Sequence, residues 1–330
     1  MVEALFYNKL PDKKVQCQLC PNYCLIDNHS FGICNVRKNI KGKLEALNYG
    51  KACTTSIDPI EKKPLYHFLP NTNTYSLATV GCNLKCFWCQ NWEISQTSKI
   101  LNKNLEPQQI INNALNSNCK SISYTYTEPT IFYEYVLDIA KLAKQHKLMN
   151  VVVSNGYINK EPLEELYHYI DAANIDLKGF TEIFYKEYCG AKLKPVLETL
   201  INIKNLGIHL EITYLIIPTL NDSPRLIKKM CDWIKTYLDD ETPLHFSRFF
   251  PMYKAKDIPP TPIKTLKEAY NIAKSSGLKH VYVGNIGKIE DTECPKCGCS
   301  VVERDTKKVK IIYNKCIKCK TKIEGIWHEF

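Results

Sequence analysis

At 330 residues the chain can hold one large core with small satellites, because single cores stop growing near roughly 250 to 300 residues. The 45% hydrophobic content is ordinary for a globular protein. No run approaches the roughly 18 apolar residues of a membrane helix, and residues 1–14 carry no export signal, so a cytoplasmic protein without membrane contact is expected. The formal net charge of +10 overstates the basic character, since metal-bound thiolates subtract from it; the lysine pairs at 62–63, 228–229 and 307–308 are dispersed, and nucleic acid is not the expected partner.

The chain opens with residues 1–73, which show little periodicity but carry Cys17, Cys20, Cys24 and Cys34. Sixteen cysteines in a reducing compartment argue for metals, since disulfides are rare there. This first set offers four thiolates in a segment too small to bury a core unaided, and suits zinc or an auxiliary iron–sulfur cluster. From 74 to 288 apolar strands alternate with helical stretches. Strands are predicted at 75–80, 121–127, 150–154, 173–177, 209–217, 244–249 and 280–283. Helices are predicted at 107–116, 129–147, 162–169, 195–205, 224–237 and 262–276, each opening near a proline, whose missing donor costs little in the first turn. This pattern predicts parallel strands joined by helical crossovers, an α/β fold with its function at the carboxyl ends of the strands. Periodicity leaves open whether the sheet closes. Residues 289–330 form a lysine-rich tail with Cys294-x-x-Cys297 and Cys316-x-x-Cys319, the spacing of a four-cysteine zinc ribbon. Rubredoxin-like iron fits the same geometry. Cys53, Cys119, Cys189, Cys231 and Cys299 stand apart and read as small buried hydrophobes.

The chemistry concentrates behind the first strand of the alternating region, in Cys82-x-x-x-Cys86-x-x-Cys89. Three thiolates satisfy three irons of a cubane and leave the fourth open to a non-protein ligand. A structural zinc would need a remote fourth ligand instead.

In this place and with Trp88 before the last cysteine, the triad resembles that of the radical S-adenosylmethionine (radical SAM) superfamily. The resemblance implies a 4Fe-4S cluster on Cys82, Cys86 and Cys89, with the cofactor's amine and carboxylate on the open iron. It implies a partial barrel of the (β/α)6 type with cysteine-rich extensions, and oxygen sensitivity. Glu128, where the family has Gly-Gly-Glu and this chain Tyr126-Thr127-Glu128, would contact the methionyl amine. Ser154-Asn155 matches the ribose-contacting segment, Asp176-Leu177-Lys178 an element of glycyl-radical activases, and His245 a histidine beside the adenine. Trp88 would flank the cofactor. Val153 stands where those activases carry an acidic residue, so their cation site is not expected. Tyr126 and Arg248 are candidates for the substrate pocket.

Across nearly the whole chain, from Cys17-x-x-Cys20-Pro21-x-x-Cys24 through Gly32-Ile33-Cys34-Asn35-Val36-Arg37 and residues 58–68 to the tail, the sequence is similar to the AmmeMemoRadiSam family, relatives of pyruvate formate-lyase activase. That implies two companion proteins and a flavodoxin- or ferredoxin-type electron donor. Two other readings stand beside it: an activase acting on a glycine of a partner protein, and a non-catalytic multi-zinc module gripping RNA or protein. The substrate is not legible.

Overall fold

Short runs rich in β-branched and aromatic residues become strands wherever a helix can cover their outer face. The computed structural model describes residues 2–97, 99–100, 104–287 and 289–327. Its centre is an eight-stranded sheet in sequential order: β1 (Thr54–Pro59), β2 (Asn73–Ala78), β3 (Ser121–Tyr124), β4 (Met149–Ser154), β5 (Ala172–Asp176), β6 (His209–Ile216), β7 (Leu244–Arg248) and β8 (Val281–Gly284). Strands β2 to β8 run parallel, and β1 adds to β2 antiparallel. Six helices cross between the parallel strands: α1 (Pro107–Asn116), α2 (Tyr133–Gln145), α3 (Lys160–Tyr167), α4 (Leu193–Asn205), α5 (Pro224–Tyr237) and α6 (Ile263–Ser275). The fold is therefore six βα units ended by a seventh parallel strand. Among the described residues β1 and β8 do not pair, so the barrel stays open between them.

Most predicted elements stand within two residues of their expected ends, and the exceptions have local causes. Strand β3 stops at Tyr124 because Tyr126 takes a left-handed φ of 64°, which no strand accommodates. Helix α2 starts at Tyr133, after one 3-10 turn at Pro129–Phe132 capped by the Glu128 side chain.

Strand β1 falls inside residues 1–73, so the core sheet begins before the expected boundary at 74. Its polarity is inverted. Thr54, Ser56 and Asp58 turn inward while Ile57 is exposed, so hydrophobic alternation gave no sign of it. Neighbouring strands share this polar interior: Thr74 Oγ1 meets Ser123 Oγ at 2.7 Å, and Thr213 Oγ1 donates to Asn174 Oδ1 at 2.8 Å.

The rest of the N-terminal segment forms two three-stranded antiparallel sheets, Val2–Glu3 with Lys43–Ala46 and Arg37–Ile40, and Tyr7–Lys9 with Val15–Cys17 and Leu25–Ile26. At the amino ends of the parallel strands, residues 60–69 cross beneath the sheet. Glu211 of β6 fixes them, accepting the backbone N–H groups of Tyr66 and His67 at 2.7 to 3.0 Å. The cysteine-rich tail docks on this base. Arg304 donates to the Tyr66 carbonyl at 3.0 Å and lies 4.1 Å over the Tyr66 ring, and Ile326 bridges Phe68.

Candidate functional site

Behind β2 the chain turns at Gly81 (φ 99°) into the loop that carries Cys82, Cys86 and Cys89. A Cβ at Gly81 would stand 2.6 Å from the Cys34 carbonyl, so only glycine fits. The loop is held from outside by backbone bonds: Lys85 N–H donates to the Cys189 carbonyl (2.8 Å) and Phe87 N–H to that of Tyr188 (3.3 Å), both in a π-helical turn at Tyr185–Cys189. Such turns recur at functional sites. Lys254 N–H closes on the Phe87 carbonyl at 3.0 Å.

The three cysteines line one cavity of about 220 Å³ at the carboxyl ends of the strands. Its wall also holds Trp88, Tyr126, Asn155, Asp176 and Lys178. Leu84 N–H points at Cys82 Sγ (3.4 Å), Asn155 Nδ2 approaches it at 3.8 Å, and Ser95 Oγ lies 3.2 Å from Cys89 Sγ. Burial raises the pKa of Cys82 and Cys89, with Glu128 adding to the effect at Cys82; at Cys86 the neighbouring Cys189 thiol raises it most, then burial. Free thiols in this wall stay protonated at neutral pH, so the set ionises only against a bound cation. That donor chemistry fits a 4Fe-4S cluster held by Cys82, Cys86 and Cys89. No further cysteine and no histidine lines the cavity among the described residues, so the wall would offer three thiolates to the cluster.

Asp176 and Lys178 form an ion pair of 2.8 Å in the wall, half-buried. Burial disfavours the Lys178 charge, but Asp176 and the nearby Cys86 outweigh it and hold the ammonium above its ordinary pKa. The pair offers a cation donor and a carboxylate acceptor at one rim, a match for a zwitterionic, hydroxyl-bearing ligand. Thr213, Leu215, Ser247 and Asn285 also line the cavity and were missed by sequence reading. Thr213, Leu215 and Ser247 were findable: they sit on inward positions near the carboxyl ends of β6 and β7.

Three expected cofactor contacts lie elsewhere. Glu128 is fully buried and spends its carboxylate on Thr130 N and Oγ1, Ser154 Oγ and Asn155 N, at 2.7 to 3.0 Å. It fixes the turn that presents Asn155, and burial raises its pKa despite four donors. Ser154 is absorbed by the same bond and does not line the cavity. His245 sits near the amino end of β7, its Nε2 at 2.6 Å from Glu211, one inward layer beneath Ser247. Of the substrate-pocket candidates, Tyr126 lines the cavity with its hydroxyl donated to Asp58, whereas Arg248 turns outward to Thr261 O (2.8 Å) and the Phe250 ring.

The terminal cysteine sets differ. In the tail, Cys294, Cys297, Cys316 and Cys319 place all four sulfurs within 4.8 Å of one another, the compactness of a single-ion site. Among the described residues no other set of three or more potential ligand atoms does so. Among the described residues no helix is long and apolar enough to cross a membrane.

Comparison with known proteins agrees with the site. Residues 76–233 match the family model described as the Radical SAM superfamily, whose members imply a 4Fe-4S cluster and S-adenosylmethionine. The chain is 48% identical to Uncharacterized protein MJ0808 of Methanocaldococcus jannaschii, over 98% of this chain and 99% of that one. It is 25% identical to the pyruvate formate-lyase-activating enzyme of Clostridium pasteurianum over 47% of this chain and 66% of that one. Among solved structures, SuiB of Streptococcus suis bound to S-adenosylmethionine superposes with a TM-score of 0.52 at 14% identity, covering 69% of this chain and 53% of SuiB, a likeness of fold. With its cysteine triad in the matched region and a cavity at the strand ends, the chain carries a radical SAM domain over residues 76–233.

Proposed function

We propose that this chain is a cytoplasmic, oxygen-sensitive radical SAM enzyme that cleaves S-adenosylmethionine reductively and removes a hydrogen atom from a substrate. The observation that carries the reading is the cavity itself, lined by three cysteines and by the Asp176–Lys178 ion pair. When bound, the cluster and the sulfonium nucleotide supply one-electron cleavage of a carbon–sulfur bond, yielding methionine and a primary carbon radical. The chain's own residues orient and exclude. Asn155 and the Leu84 N–H steady the Cys82 sulfur, Asp176 and Lys178 bind the polar parts of the cofactor, and Trp88, packed on Phe87 and Phe184, screens the cluster from water.

The electron comes from a flavodoxin- or ferredoxin-type donor. The overall resemblance to AmmeMemoRadiSam proteins supports a substrate handled with two companion proteins. A glycyl-radical activase role is the second reading, favoured by the name of the Clostridium relative. The tail holds a structural zinc ion, supported by Cys294 and Cys319 sulfurs at 3.5 Å and those of Cys297 and Cys316 at 3.8 Å. Replacing Cys86 with alanine tests the central reading. Production of 5'-deoxyadenosine from S-adenosylmethionine under dithionite falls to background while circular dichroism stays native; unchanged production overturns it.

A further inference from the structure

The cysteine-rich tail is charged in a way that an average over the chain hides. Residues 294–323 hold eight lysines and Arg304 against Glu303 and Asp305. Four thiolates on a divalent ion offset only part of that excess. Two of the lysines are spent inside the tail, Lys310 on Glu303 and Lys322 on Glu324. Lys315, Lys318 and Lys320 are exposed, and among the described residues none of the three forms an ion pair.

The hairpin beside these lysines supplies a second, independent observation. Ile311–Ile312 pairs antiparallel with Lys315–Cys316, Ile312 opposite Lys315, so Tyr313 and Asn314 make a two-residue turn. Both have a left-handed φ, 51° and 57°. Such a turn favours Asn-Gly or Asp-Gly, because both of its central residues need φ above zero. Tyr313 takes the first place against that preference, and it is 80% exposed, so its ring packs on almost nothing. Neither packing nor turn geometry calls for a tyrosine there, and backbone strain of this kind gathers at ligand sites. The turn is also firmly held. Ile311 and Cys316 behind it are buried, and Ile323 N–H donates to the Asn314 carbonyl at 2.8 Å. On the outer face Ile312 and Lys315 stand directly across from each other, both exposed. The tail docks on the barrel through other residues, Arg304 and Ile326, and among the described residues the hydrogen bonds of residues 311–320 stay inside the tail.

We propose that this hairpin binds single-stranded nucleic acid, with the Tyr313 ring stacked on an unpaired base and Lys315, Lys318 and Lys320 taking neighbouring phosphates. Lysines dispersed over the whole chain argue against such a partner; the tail alone has the concentration. The chemistry favours this occupant over an acidic protein, since lysine is depleted from the cores of protein interfaces whereas phosphates take it readily. It favours a single strand over a duplex, because a side chain can stack only on a base whose own face is free. The contact tracks backbone charge and a π-face, so little sequence preference follows from it. The radical SAM reading is neither needed nor altered: the tail covers the amino ends of the strands, and the cysteine-lined cavity is at their carboxyl ends.

The test uses the full chain with its tail metal, titrated into fluorescein-labelled oligouridylate and oligothymidylate of about 12 nucleotides and followed by anisotropy. Binding weakens with salt at a logarithmic slope of about −2, the value for three phosphate contacts on a single strand. Tyr313→Asn suits the left-handed backbone, so the tail keeps its metal; binding nevertheless falls about tenfold with the slope unchanged, and Tyr313→Phe, which keeps the ring, stays within about twofold of wild type. The combined Lys315→Gln, Lys318→Gln, Lys320→Gln variant removes most of the salt dependence. Dithionite-driven 5'-deoxyadenosine production is the same in all of them. Binding of both strands in this manner, or of either one alone, bears the proposal out. Binding of neither, equal affinity of Tyr313→Asn and wild type, or tighter binding to a duplex of the same length overturns it. Displacement of the strand by polyglutamate at equal charge, with the same dependence on Tyr313, also overturns it and makes the hairpin a protein-docking surface.

Discussion

The two ends of the barrel use the same inward-facing strand positions and dispose of their charges in opposite ways. At the carboxyl ends, Asp176 and Lys178 face a cavity, half-exposed, and three thiols line the same cavity. At the amino ends, Glu211 is fully buried and every direction of its carboxylate is taken: Tyr66 N, His67 N, His209 Nε2 and His245 Nε2. The Tyr282 ring stacks on His245, its hydroxyl meets His67 Nε2 at 2.6 Å, and the tail covers the whole. Saturation makes a floor and incompleteness makes a site. A buried charge left with open valence marks where something else binds, whereas the same charge fully bonded marks architecture.

The comparison breaks most visibly at Glu211. Replacing it with alanine strands two buried N–H groups and the donors of two histidines, and should cost about 4 kcal/mol of stability by thermal or denaturant melting. At permissive temperature 5'-deoxyadenosine production per folded molecule stays near wild type, because the cavity is one layer above. The sign with pH follows. Burial alone would raise the Glu211 pKa, but hydrogen bonds from His209 and His245 prevail and hold it well below the carboxylate range. A depressed folded value means the contribution is fully present above about 4.3, where the unfolded carboxylate titrates, and fades as pH falls through the lower folded value. The carboxylate's share of the difference between wild type and Glu211→Ala therefore shrinks as pH falls below about 4.3.

Asp58 joins the two ends, and a smaller loss is expected there. It pairs with buried Lys63 at 2.6 Å and with exposed Lys62 at 2.9 Å, and accepts the Tyr126 hydroxyl from the cavity wall. Asp58→Asn leaves the Lys63 ammonium without its countercharge and should cost about 3 kcal/mol. Unlike Glu211→Ala it also loosens Tyr126, held at φ 64° with Lys63 4.6 Å over its ring, so activity per folded molecule falls as well. Equal behaviour of the two variants would erase the distinction between floor and site.

How much of this was legible before folding depends on what each pattern encodes. That Cys82, Cys86 and Cys89 share one cavity could be read because their close spacing keeps them in one loop. The βα alternation could be read because helices cover the outer face of the sheet and impose apolar period. The inner face is polar, so β1 with inward Thr54, Ser56 and Asp58 left no signal. Glu128 misled because a carboxylate beyond a strand looks alike whether it meets a ligand or caps the turn at Pro129; only its four donors tell them apart. Gly81 gave no hint that it rests on Cys34, a contact across 47 positions that only the fold creates.

His245 is the sharpest small test. Its place on β7 gives it the right face and the wrong height: Ser247, two residues on, reaches the cavity, and a rise of about 3.3 Å per residue leaves His245 some 7 Å lower. There it gives one hydrogen bond to Glu211 and packs edge-on against Tyr66, 4.7 Å between ring centres. Glutamine keeps a donor for that carboxylate and loses part of the packing, so His245→Gln should cost about 1 kcal/mol. Its affinity for S-adenosylmethionine, measured by equilibrium binding to the reconstituted protein, should stay within about twofold of wild type. A residue touching the adenine would lose about tenfold, the equivalent of one charge-assisted hydrogen bond at about 1.4 kcal/mol. The two outcomes differ by enough to decide whether β7 contributes one layer or two to the cofactor site.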